Sequence, residues 1–227
     1  MEDGTWRDSV KKELKKLSKM TWKERIGYVW DYYKAQMALL IGLILLIHIG
    51  VTIFQNMQIE EVLQAYLVNC NAMEVDAKEM SAEFADYVGG LDKHQVATVN
   101  TTLIEEGKDA PQSQSSMAEQ MKLTTLIGAQ AIDVVVLDEL AYETYLEDGF
   151  LMDLSGLLTP EQKEQWQERL EEDAGGACYA VEVTDSPVLA SQNAYFGGKI
   201  YAAVMANSVN TDMSIAFVDY LLCSQEK

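Results

Sequence analysis

An uninterrupted apolar run near the N-terminus constrains this chain more than any other feature. Residues 37–54, MALLIGLILLIHIGVTIF, contain no charged side chain, and only His48 and Thr52 are polar. As a helix rising about 1.5 Å per residue, the run covers roughly 27 Å, close to the hydrocarbon thickness of a bilayer. A buried core helix is the alternative, but such a helix usually keeps a polar edge. We therefore predict a transmembrane segment over 35–55.

The two flanks of this segment differ in charge. Nine Lys and Arg residues precede it, whereas none lies between Gln55 and Ala77. The positive-inside rule then predicts a single-pass protein of the cell membrane with a cytoplasmic N-terminus and an extracellular C-terminal domain. Aromatic residues just before the span are expected to form the belt at the cytoplasmic interface. They are Trp22, Tyr28, Trp30, Tyr32 and Tyr33.

The apolar run is also compatible with a signal peptide, but its surroundings favour an uncleaved signal anchor. A lead of 36 residues precedes it, and no small-x-small cleavage site occurs in the FQNMQIE that follows. Cys70 is not preceded by a lipoprotein-type box. We therefore predict a cytoplasmic arm over 1–34, an anchor over 35–55 and an extracytoplasmic domain over 60–227.

Charge is divided unevenly along the 227 residues. The first 34 residues hold nine basic and six acidic side chains, a net of +3, whereas the other 8 basic and 30 acidic side chains give −22. An exported domain this acidic lacks the basic face that nucleic acid binding needs, and anionic lipid surfaces repel it. Solubility outside the cell is sufficient to explain the acidity.

The basic arm is predicted to form two short helices. In the first, Val10, Leu14 and Leu17 recur at helical spacing among lysines. A capping box over 21–24, TWKE, starts the second helix, which is expected to run into the membrane. The arm either adheres to the anionic inner leaflet or docks on a cytoplasmic partner.

The exported part alternates strands with helices, which predicts an α/β domain with three layers and a mostly parallel sheet. Strands are predicted over 61–69, 94–104 and 132–138 and in CYAVEV and KIYAAVMAN. Helices are predicted in DAKEMSAEFADYV, after a capping box over 116–119, and in ELAYETYLEDG, LTPEQKEQWQERL and DMSIAFVDYLL. Val134, Val135 and Val136 are expected to form a buried central strand, because both faces of an uninterrupted apolar strand must be covered.

Four segments occur in an order that resembles extracellular solute-binding proteins of ABC importers, especially those for sugars. They are KLTTLIGAQAIDVVVLDE, YLEDGFLMDLSGLLT, GGKIYAAV and SIAFVDYLLCSQE. The resemblance covers residues 60–227 and implies a periplasmic-binding-protein-like fold. Members of that family have two lobes and hold their ligand between them. Here GGKIYAAVMANS leads to the closing helix within about a dozen residues, so the resemblance implies a single lobe on a membrane anchor.

Ligands of open α/β sheets bind outside the carboxyl ends of the strands. The residues predicted to contact a ligand or partner there are Asn69, Asn71, Thr101, Thr102, Asp138 and Glu139. In the resembled family, the positions of Asn71 and Asp138 are near ligand-contacting loops. A turn or helix-capping role is the alternative for each, since Asn, Thr and Asp are common in both.

Signatures of catalysis are missing from the sequence. It has no GxxxxGK[ST], GxSxG or HExxH motif, so we expect no enzyme, no cofactor and no metal site. Cys70, Cys178 and Cys223 permit at most one disulfide, and buried free thiols are the default interpretation.

Two functions remain open. In one, the anchored lobe recognises a transporter, sensor or other envelope protein. In the other, it is a self-sufficient solute-binding component of an ABC importer, with a small solute as its ligand.

Overall fold

The structure, a computed structural model, describes residues 21–56, 59–104, 114–173 and 175–223. Side chains of 23–29, 31–33, 54–56 and 115 lie outside the described part. The chain divides into two compact units, Met1–Gln58 and Ile59–Lys227. The helix predicted around Val10 and Leu14 lies outside the described residues, as do the side chains of Tyr28, Tyr32 and Tyr33.

Helix α1, Trp22–Asn56, is one continuous helix of 35 residues. It begins directly after Thr21, as the capping pattern predicts. Its window Lys34–Ile53 has a mean hydropathy of 2.3, and none of that window is buried, so the helix is long and apolar enough to cross a membrane. Trp22 and Trp30, on the N-terminal side of the window, are exposed.

The second unit contains six strands and six α-helices within the described residues. In chain order they are β1 Glu60–Val68, α2 Ala77–Tyr87, β2 Gln95–Thr102, α3 Gln114–Gly128, β3 Val134–Asp138, α4 Glu139–Glu147, α5 Pro160–Gln165, β4 Leu170–Glu172, β5 Cys178–Glu182, α6 Pro187–Ser191, β6 Ile200–Val204 and α7 Thr211–Leu222, with a short 3-10 helix at Leu154–Gly156.

All six strands form one sheet in the order β2-β1-β3-β6-β5-β4. β1 is parallel to both β2 and β3, which brings the carboxyl ends of these three strands to one edge. β6 is antiparallel to β3 and to β5, and β4 is antiparallel to β5. Four strands, β1, β2, β3 and β5, therefore share one direction, which confirms the α/β prediction, while every strand pair beyond β3 is antiparallel.

Strand β3 lies inside the sheet and is covered on both faces. Val134 and Val136 belong to the core on one face, and Val135 and Leu137 belong to the core on the other. All four are fully buried. The uninterrupted apolar run is explained by this burial on both faces, and the predicted buried central strand is confirmed.

The two cores belong to different helix layers. Phe84 of α2 and Phe217 of α7 lie in the first core, where their rings meet edge to face with centroids 5.2 Å apart. Leu123 of α3 and Tyr142 of α4 lie in the second core. Two helix layers around one sheet confirm the predicted three-layer arrangement.

Three local predictions are wrong. The helix predicted in LTPEQKEQWQERL stops at Gln165. The next residue, Trp166, is buried in the core, and Leu170 already belongs to β4, where it pairs with Val181 of β5. Helix α3 already begins at Gln114, so the capping box predicted to start at Ser116 falls within the helix. Only a strand and a loop were expected in 171–194, but this segment contains helix α6 and the last two residues of β4 in addition to β5.

Candidate functional site

The carboxyl ends of β1, β2 and β3 are joined by hydrogen bonds that involve Asn69. Its backbone N–H donates to the carbonyl of Thr102 at 2.8 Å, and its side-chain oxygen accepts from the N–H of Ile104 at 2.9 Å. Its Nδ2 donates to Oδ2 of Asp138 at 3.1 Å. Asn69 adopts φ 57°, a left-handed conformation that Asn tolerates well. The structure thus brings together Asn69, Thr102 and Asp138.

Asp138 has a second role as the N-cap of α4. Its Oδ1 accepts from the N–H of Ala141 at 2.9 Å, while its Oδ2 accepts from Asn69. Both carboxylate oxygens are therefore engaged within the domain. Glu139 is exposed in the first turn of the helix, where the helix dipole favours an acidic side chain. The capping alternative fits Asp138, and the preference for acidic side chains at a helix start explains Glu139.

The two threonines of β2 differ in their surroundings. Thr102 is buried and donates from Oγ1 to Oε2 of Glu119 at 3.1 Å. Lys122 forms an ion pair with the same Glu119 oxygen at 3.3 Å. Thr101 is half-buried and pairs in register with Leu67 of β1. Only Thr102 therefore belongs to the network of polar contacts at this edge.

Asn71 joins the loop after β1 to the loop before β6. Its N–H donates to the carbonyl of Ala194 at 2.8 Å, and its own carbonyl accepts from Glu74 and Val75. Because Asp138 and Ile200 are opposite each other in the β3–β6 pair, the segment before β6 also reaches the carboxyl edge of β3.

Tyr195 occupies this edge and was missed by sequence reasoning. Its hydroxyl lies 3.1 Å from the carbonyl oxygen of Val68 and 2.9 Å from that of Val136, to which it donates. Burial raises the pKa of the phenol well above its usual value, and the nearby Cys70 and Asp138 add to the rise. An aromatic residue in the turn-rich NAYFGGK is a weak signal for such a role.

Large exposed apolar side chains lie next to the polar network along the chain. Met73 is 96% exposed, Phe196 87%, Leu103 56% and Leu140 49%. Each lies within two residues of a residue that takes part in the hydrogen bonds above. We call these four residues the carboxyl-edge rim.

Acidic side chains accompany this rim. Glu74 follows Met73 in the chain, Glu139 precedes Leu140, and Glu143 lies one helical turn after it. All three are exposed, and within the part of the chain that the structure describes none forms a salt bridge. Lys199, the nearest cation in sequence to Phe196, pairs with Glu182 at 3.2 Å.

Two cavities occur in the described part of the domain, and the smaller one borders the carboxyl edge at Ile104. One of about 410 Å³ is lined by Ser155, Lys163, Glu172 and Cys178, among others. Another of about 270 Å³ lies between α3 and α4. Neither is lined by any of the six residues predicted to contact a ligand or partner.

The three thiols are free. Burial raises the pKa of Cys70 and that of Cys178 to about 11, whereas Cys223 is half-exposed. Among the described residues, no three His, Cys, Asp or Glu side chains converge as a metal site.

Comparison with known proteins gives distant similarity only. No family model matches the sequence, and no curated protein matches it. Two solved chains match. One is the ABC substrate-binding protein Lmo0181 from Listeria monocytogenes in complex with cycloalternan, with 20% sequence identity and a TM-score of 0.34. The match covers 55% of this chain and spans 29% of that protein, and at this level it identifies neither a family nor a function.

Proposed function

We propose that this protein is a non-catalytic binding domain held outside the cell by an N-terminal membrane anchor. Helix α1 supplies an apolar stretch of 20 residues with no part buried. Eight basic residues before that stretch, and Lys34 at its first position, favour retention of the N-terminus in the cytoplasm. The domain contacts an envelope protein, such as a transporter or a sensor, with the carboxyl edge of β1, β2 and β3.

The proposal is supported by a difference between polar and apolar side chains at the carboxyl edge: the polar groups are already bonded, whereas the apolar side chains are exposed. The polar groups of Asn69, Asp138 and Tyr195 are bonded within the domain. A small polar solute would have to displace these bonds, with a cost for each group left unpaired. Exposed apolar side chains such as Met73 and Phe196 remain available at the same edge. Large exposed apolar side chains rimmed by polar residues are typical of protein-binding surfaces.

A self-sufficient solute-binding role is less well supported. Tight small-molecule sites commonly bury about 70% or more of the ligand, and in two-lobed proteins the second lobe covers it. The described residues of 59–223 pack on a single sheet. We therefore expect protein recognition to be the primary activity.

In-cell photo-crosslinking tests the proposal. A photoreactive amino acid replaces Met73 in the full-length chain in its native membrane, and Val209 serves as the control position. Val209 is also exposed, but it neighbours Asn210, whose Nδ2 bonds the carbonyl of Glu61 near the amino end of β1. A protein adduct at 73 that is missing at 209 supports the proposal. A protein adduct at neither position would oppose it.

A further inference from the structure

Resting on the proposed function, we infer that the partner protein presents an apolar patch bordered by Lys or Arg side chains to the carboxyl-edge rim. Two independent features of this edge support that chemistry: the hydrogen-bonded framework that carries its exposed apolar residues, and its unpaired negative charge.

The four rim residues are attached to one hydrogen-bonded framework. Leu103 lies between Thr102 and Ile104, both of which bond Asn69. Leu140 lies two residues after Asp138, which also bonds Asn69.

The other half of the rim is attached through the loop before β6. The Asn71 N–H bonds the carbonyl of Ala194 at 2.8 Å, which joins the segment carrying Met73 to the segment carrying Phe196. Tyr195, next to Phe196, donates to the carbonyl of Val136 in the middle of β3. The backbone of the rim is thus held in place before any partner arrives, which lowers the ordering cost of binding.

Charge then selects the partner. Glu74, Glu139 and Glu143 flank the rim, are exposed, and have no salt bridge with a described residue. Covering a carboxylate without pairing it is costly, so an apolar partner surface alone would be disfavoured. Lys or Arg at the border of the partner's patch would compensate these charges and speed association with a domain of strongly negative charge.

Lipid is a poorer occupant of the same surface. Anionic lipid headgroups would repel Glu74, Glu139 and Glu143, and the rest of this strongly acidic domain adds to that repulsion. These features favour a protein with basic side chains over a membrane surface.

The test uses the full-length protein in native membranes with the photoreactive residue in place of Phe196. The triple variant Glu74→Gln, Glu139→Gln, Glu143→Gln removes the charges but keeps the rim. The matched control, Asp92→Asn, Glu147→Gln, Asp148→Asn, removes three exposed carboxylates at other positions. We expect the rim variant to lower the yield of the protein adduct about tenfold, the control to leave it unchanged, and added salt to lower the wild-type yield.

The outcomes separate this inference from the function on which it rests. The adducted partner peptide, identified by mass spectrometry, is expected to contain Lys or Arg beside apolar residues. An adduct whose yield is insensitive to the rim charges and to salt overturns the charge inference but leaves the protein contact intact. An adduct with phospholipid in place of protein overturns both.

Discussion

The side-chain amide of Asn69 donates a 3.1 Å hydrogen bond to the carboxylate of Asp138, linking the carboxyl ends of β1 and β3. Oδ1 of Asp138 accepts from the N–H of Ala141 and caps α4. Oδ1 of Asn69 accepts from the N–H of Ile104. Two residues suited to bind a polar ligand are thus engaged with each other. The apolar residues around them are the groups left for recognition.

Replacement of Asp138 should destabilise the domain. Asp138→Ala removes the cap of α4 and leaves the Asn69 amide without its acceptor, so we expect the free energy of unfolding to fall by about 1–3 kcal/mol. Thermal unfolding of the full-length protein, followed by near-UV circular dichroism, measures the change. Glu139→Gln, an exposed neighbour, is the control and should shift stability by about 0.5 kcal/mol or less. An equal loss in both variants would contradict the capping role.

Tyr195 should make stability fall at alkaline pH. Its pKa is raised in the folded domain, mainly by burial, so the unfolded chain ionises first as the pH passes about 10. The stabilisation is complete below about pH 10 and is lost as the pH rises toward the folded value. Tyr195→Phe removes this ionisation and one hydrogen bond.

Unfolding midpoints from pH 8 upwards test this linkage. We expect Tyr195→Phe to be less stable than the wild type by about 1 kcal/mol near pH 8, with a shallower decline above about pH 10. Other tyrosines also have raised pKa values, among them Tyr142 with a pKa of about 12, so part of the loss of stability above about pH 10 should remain in the variant. An identical slope in both proteins would mean that the Tyr195 phenol does not contribute.

A charge in the centre of the sheet should unfold the domain. Val135 is fully buried in β3, so Val135→Asp places a carboxylate among apolar side chains and should cost more than about 3 kcal/mol. Val209→Asp is the matched control, because Val209 is 71% exposed. If the two variants melt at the same temperature, β3 is not the core strand.

The sequence was informative wherever one short stretch determines the environment of a residue. Val134–Val136 indicated a strand covered on both faces because every side chain in the run is apolar. The helix start after Thr21 followed from a local capping pattern. The cap at Ser186 followed by Pro187 was an equally local signal for α6, but it was overlooked.

Long-range pairing could not be predicted in the same way. The sequence KIYAAVMAN does not indicate that β6 runs antiparallel to β3, because strand direction depends on how the chain crosses the sheet. The helix that precedes Trp166 ends there because the Trp166 ring is buried in the core. That core is formed by strands far away in the sequence, so the local pattern did not reveal it. The bonds from Tyr195 to two different strands likewise join residues far apart in sequence.

Topology is tested with single cysteines. In a Cys223→Ser background, we expect an impermeant maleimide to label Asn56→Cys in intact cells and to label Ser18→Cys only after the cells are opened. The reason is the excess of basic residues before the span. Labelling of position 18 in intact cells would show that the N-terminus lies outside, which contradicts the predicted orientation.

The most direct test of the proposed function compares what Phe196 touches with what the domain binds in solution. A photoreactive residue at 196 in intact membranes is paired with calorimetry of the full-length protein against sugars and peptides. We expect a protein adduct at 196, none at the control position 209, and no solute binding in the micromolar range. A solute that binds with a sub-micromolar Kd, together with no protein adduct at 196, would contradict the proposed function.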